Sequence, residues 1–256
     1  MNLKDYGENL AYEIAFWMEG LSDPEYPVKE LGHLSLELSD KLRSLAIMAL
    51  LVKGSSDLFH HNLIRSAMAR ETYLKRVKEA EAFNDHHWCS GRYGALLDAI
   101  AAYDDELAMR IVILSPKEWR KGHEYEDDYC YAQILHRLVQ EVPPIDEIPS
   151  LLNQFEVWLE GEPSARFELC KALAERNQEA FDEAFEELLE EREAQITADI
   201  ERGQMEEPEI IAQRQVFVEG LAILRLAEKL GLTTQDEYKY CPSLARIPMQ
   251  EPFPGE

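Results

Sequence analysis

Carboxylates and imidazoles are the side chains best able to do chemistry in this chain, and both come in groups. The segment "HEYEDD" places Glu124, Glu126, Asp127 and Asp128 within five residues. Histidines pair at His60 with His61 and at His86 with His87, and the second pair runs directly into Trp88 and Cys89. Acids this close repel one another, because each ionised group raises the cost of ionising the next. A metal ion, a shared proton, a helix N-terminus or a cationic partner would each supply the compensation. A carboxylate metal hydrolase would draw on Glu124, Asp127 and Asp128 together with a histidine. No G-x-G-x-x-G, P-loop, G-x-S-x-G or H-E-x-x-H pattern accompanies them, and adjacent histidines on a helix point in different directions, so neither pair alone makes a chelating face. The residues therefore name no catalytic group, no metal ligand and no cofactor.

The cluster has a structural use as well. Asp127 and Asp128 stand just before the helical pattern "YCYAQILHRLV", where free N–H groups and the positive end of the helix dipole favour carboxylates. That accounts for two acids of the four. Glu124 and Glu126 are left to face solvent, an arginine elsewhere in the fold, or a partner.

The elements that must position these groups are helical. Apolar residues recur at helical spacing over residues 3–18, 31–51, 58–83, 94–114, 129–139, 148–159, 177–202 and 210–230, with breaks such as "SDPEYP", "KGSSD", "EVPPIDEIPS" and "MEEPE" between them. No segment alternates with period two. In the helix after Asn177 one face carries Phe181, Phe185 and Leu188, and the other carries Glu183, Glu186, Glu187, Glu190 and Glu191 with few basic residues to neutralise them. An internal echo at an offset of 73 residues aligns "LLDAIAAYDDELAMRI" with "LCKALAERNQEAFDEA", setting Asp104 against Asn177 as caps of a helix–turn–helix unit. The expected fold is all-α, an irregular array of antiparallel helical hairpins, repeat-like in its C-terminal part. It reads as a single domain over 1–256, with a subdivision into a 1–83 bundle and an 84–256 hairpin array as the variant. The proline-rich tail "CPSLARIPMQEPFPGE" is expected to run across the surface.

Composition bounds the partners. The 256 residues are 46% hydrophobic and 9% aromatic, ample for a core, and 50 acids against 26 Lys and Arg give a net charge of −24. Such a field repels nucleic acid and anionic membrane and attracts basic surfaces. Four widely separated cysteines, no signal-peptide pattern and no apolar run near membrane-spanning length place the protein in the cytoplasm.

The segments "GALLDAIAAYDDELAMRI", "HEYEDDYCYAQILHRLV", "VFVEGLAILRLAEKLGL" and "YKYCPSLAR", in this order over residues 91–246, resemble the immunity protein 49 family of bacterial polymorphic toxin systems. The resemblance implies a non-enzymatic antitoxin that binds one cognate toxin, delivered by type VI or contact-dependent systems, and it implies no catalytic residues. Joined to the charge argument, it makes Glu124, Glu126, Asp127, Asp128, Glu183, Glu186, Glu187, Glu190 and Glu191 the candidate toxin contacts, with a basic nuclease as one fitting toxin. A helical-repeat adaptor for another protein partner is the alternative of a different class.

Overall fold

A computed structural model describes residues 3–203 and 208–254. Helix follows helix among them: α1 (Leu3–Ser22), α2 (Val28–Lys53), α3 (Ser56–Glu79), α4 (Gly94–Ala101), α5 (Asp105–Leu114), α6 (Glu126–Leu138), α7 (Ile148–Leu159), α8 (Ala165–Glu175), α9 (Gln178–Glu201), α10 (Pro208–Gln215) and α11 (Val218–Lys229). Short 3-10 turns occupy Ile145–Glu147 and Ser243–Arg246, and the described residues form no strand beyond two isolated bridges. The fold is all-α. The break expected at "MEEPE" lies, from Met205 to Glu207, outside the described residues.

Three hairpins share one kind of junction. After α2, α4 and α8 a residue turns left-handed, Gly54 at φ 61°, Tyr103 at φ 63° and Arg176 at φ 52°. The next residue, Ser55, Asp104 or Asn177, then donates its N–H back to Ala49, Ala99 or Ala172 and caps the following helix with its side chain. The caps accept from Leu58 N (3.2 Å), Leu107 N (2.9 Å) and Ala180 N (3.3 Å). One device thus closes the outgoing carbonyls of one helix and the incoming N–H groups of the next. The junctions of α4–α5 and α8–α9 correspond at the 73-residue offset seen in the sequence, Tyr103 with Arg176, Asp104 with Asn177 and Ala99 with Ala172.

Packing joins the hairpins through one apolar cluster. α2 lies along α3, α3 meets α4 and α5, and α11 covers α4, with Leu38, Phe59, Leu96, Ile100, Leu135 and Ile223 among its buried members. Two ion pairs are built into these contacts. Arg43 on α2 donates to Asp98 on α4 through Nε (2.7 Å) and Nη2 (2.8 Å), and the wholly buried Asp98 also accepts from Ser66. Gly94 makes that approach possible, because a Cβ there would stand 2.9 Å from the guanidinium. Arg166 on α8 grips Glu219 on α11 in the same two-pronged way (2.7 and 2.8 Å), and the Tyr131 hydroxyl donates to the same carboxylate at 3.0 Å.

The helix expected over 210–230 is divided. Phe217 is extended at the junction of α10 and α11, and its N–H donates to Tyr240 O at 2.8 Å instead of within a helix. The C-terminal tail crosses α3. His60 Nε2 donates to Ile247 O (2.8 Å), His61 Nε2 to Glu251 O (3.2 Å), and Asp57 Oδ1 accepts from Gln250 N (2.7 Å), while Phe253 packs edge-on against His61.

Candidate functional site

The "HEYEDD" residues border a cleft of about 580 Å³ lined by Arg92, Trp119, His123, Glu124, Tyr125 and Glu126, among others. α6 begins at Glu126 with Tyr125 at the N-cap, so Glu126, Asp127 and Asp128 all lie inside its first turn and none makes a side-chain cap hydrogen bond. They act through the dipole, and Asp127 and Asp128 lie three residues deeper in the helix than the pattern suggested. Asp128 is half-buried and accepts from the Tyr93 hydroxyl at 3.1 Å. Burial lifts its carboxyl above the ordinary value, against the pull of that hydrogen bond.

Glu124 is not left over. Its Oε2 accepts from Gly91 N (2.6 Å) and from Ser90 Oγ (3.1 Å), and its Oε1 accepts from Arg120 N (3.0 Å). The carboxylate ties the segment before α6 to the loop before α4. A Cβ on Gly91 would meet Glu124 Oε2 at 3.1 Å, so a side chain there would crowd the carboxylate. Glu126 and the exposed Asp127 remain outward, beside Tyr125, which is 75% exposed. Among the described residues, Glu124, Asp127 and Asp128 do not converge with a histidine at metal-sharing distance.

On α9 the helical period sorts the side chains cleanly. Phe181, Ala184, Phe185, Leu188 and Leu189 are buried, while Glu183, Glu186, Glu187, Glu190 and Glu191 are all exposed. Glu191 accepts from Ala165 N at 3.1 Å at the start of α8. Among the described residues no ion pair or hydrogen bond engages the side chains of Glu183, Glu186, Glu187 or Glu190. The one cation in the middle of the helix, Arg192, turns to the opposite side, over the Phe217 ring at 5.2 Å and onto Gln213 O at 3.0 Å. The stripe therefore carries its charge undiluted. The two acidic regions are held differently: Glu124 and Asp128 bond to the residues before α4, while Glu183, Glu186, Glu187 and Glu190 stay free.

The sequence reading missed Asp98 and Glu219. Each is an acid set in an otherwise apolar helix, "GALLDAIAA" and "VFVEGLAILR". That placement is the available signal, since a charge at a core position must find a partner.

The described residues form an all-helical protein with a strongly acidic face on α9. The family model for immunity protein 49 matches residues 48–245, most of the chain, and the protein belongs to that family. The match begins within α2, earlier than the four resembling segments. No curated protein and no solved structure matches it. No described helix is long and apolar enough to cross a membrane.

Proposed function

We propose that this immunity protein neutralises its cognate toxin by direct binding, with the outer face of α9 as the docking surface for a basic patch on the toxin. The observation that carries the reading is the exposed, unpaired stripe of Glu183, Glu186, Glu187 and Glu190. Like charges along one face destabilise a helix slightly, and the apolar opposite face keeps α9 folded while the stripe stays free. Glu191, Glu126 and Asp127 would extend the acidic field; Glu124 and Asp128 would act by holding the fold.

A nuclease fits this surface, because its substrate groove must be cationic to hold phosphate, and an acidic helix would compete for that groove. Opposite charge also accelerates encounter, to about 10⁸–10⁹ M⁻¹s⁻¹ at low salt, which suits a protein acting in the cytoplasm of a cell exposed to its own or a sister cell's toxin. No reaction of its own is required of the chain.

The test pairs Glu187→Lys/Glu190→Lys with the toxin encoded beside the gene. The reversal is expected to weaken binding mainly through slower association and to abolish protection of cells, with folding intact by circular dichroism. Undiminished protection by the folded variant, or an association rate insensitive to salt, would refute docking through this face.

A further inference from the structure

The turn between α3 and the loop before α4 contains a second group of chemically able side chains, remote from the acidic stripe and unused by the proposed docking. Asp85, His86 and His87 do not lie on a helix, where successive side chains would diverge. They occupy consecutive tight turns, in which His87 N donates to Asp85 Oδ1 at 2.8 Å and Trp88 N to Asp85 O at 3.1 Å. The turn folds the histidine rings onto each other, with centroids 3.7 Å apart. One carboxylate oxygen and one nitrogen from each ring fall within 4.8 Å of one another.

Two features set this group apart from an ordinary surface turn. His87 Nδ1 is buried with no hydrogen-bond partner, a costly state for a polar atom, and the Asp85 side chain is only 8% exposed. The His87 ring is also wedged: a Cβ on Gly32 of α2 would stand 2.6 Å from it, so this helix has a glycine where the imidazole presses against its backbone.

We propose that Asp85, His86 and His87 bind a divalent transition metal of the zinc and nickel class. Two imidazoles and one carboxylate are the donor set that such borderline ions prefer, and three protein ligands leave further positions to water. Ligands on a tetrahedral zinc lie about 3.3 Å apart for bonds of roughly 2.0–2.1 Å, a closure within reach of side-chain rotation by His86, whose side chain is 64% exposed. The buried Tyr73 hydroxyl lies beside the Asp85 side chain and would steady that carboxylate. Arg70 beside it is committed to the loop, donating to His87 O (2.9 Å) and Cys89 O (3.0 Å). Its charge and that of Arg92 make the site weaker than a four-ligand structural zinc. A bound ion would pin the turn to α2 and α3, and through Ser90 and Gly91 would steady the loop that Glu124 grips.

The experiment is a titration of the chelator-stripped full-length protein with zinc chloride against a chromophoric competitor. Saturation at one zinc per chain is expected, with a rise in Tm. His86→Gln removes an exposed ligand and should keep the fold, and Asp85→Asn preserves the acceptor for His87 N; both are expected to lower affinity at least about tenfold with unchanged helicity. His123→Gln, outside the Asp85–His86–His87 group, should bind as the parent does. Absence of saturable binding, or equal affinity in the parent, His86→Gln and Asp85→Asn proteins, would overturn the proposal, as would a loss confined to His123→Gln.

Discussion

Glu124→Gln is the sharpest test of how the "HEYEDD" cluster works. The glutamine keeps the shape of the side chain but turns one of two accepting oxygens into an NH₂ donor. In its better orientation the remaining oxygen still faces Gly91 N and Ser90 Oγ, and the new NH₂ then points at the N–H of Arg120, which donated at 3.0 Å. One hydrogen bond to a charged acceptor is lost and a donor meets a donor. Such bonds contribute about 1.5–3 kcal/mol each, and for a chain of this size each kcal/mol moves Tm by about 2–4 °C. The expected fall is therefore about 3–12 °C. Glu126→Gln is the matched control: Glu126 has no side-chain hydrogen bond and contributes through the helix dipole alone, about 0.3–1 kcal/mol. Melting followed at 222 nm, with both proteins at the same concentration, distinguishes the two. Equal melting temperatures for Glu124→Gln and Glu126→Gln would refute the assignment of Glu124 as a tie between loops and return it to the free surface charges.

Three further outcomes follow from the buried polar groups and the tight approaches. Asp98→Ala leaves Arg43 with only Asp40 at 3.0 Å and should cost about 3 kcal/mol in urea unfolding; an Arg43→Met/Asp98→Leu protein no more stable than the single variant would contradict this. Gly220→Ala places a Cβ 2.6 Å from Cys241 Sγ and 2.8 Å from Phe217 Cδ1, so overpacking of about 1–3 kcal/mol should outweigh the gain in helix propensity, and a variant at least as stable as the parent would show that α11 has room there. Burial pushes the His136 imidazole down to about 3, so the unfolded chain binds its proton first as pH falls below about 6.5 and stability drops with acid. The loss from this group should reach about 2 kcal/mol by pH 5, and a His136 ring resonance titrating near pH 6.5 in the folded protein would refute it.

Much of the fold was legible because helical sequence signals are local. The 3.6-residue period places Phe181, Phe185 and Leu188 inward and Glu183, Glu187 and Glu190 outward whatever α9 packs against. Asp104 and Asn177 announce themselves as caps because a short polar side chain before an apolar run satisfies free N–H groups within three residues of itself. The division at Phe217 was hidden, since the hydrogen bond that replaces the helical one comes from Tyr240, far along the chain.

The same boundary between local and distant causes runs through the site. Composition and period determined that this chain is all-helical, strongly acidic and striped with charge on α9, because each of those properties belongs to a single segment. Only the tertiary structure decided that Glu124 is occupied while Glu126 is free, and that His86 stacks on His87 instead of diverging from it. Those outcomes depend on which backbone N–H, which turn and which glycine of another element come within about 3 Å, a distance that chain topology sets and local spacing does not.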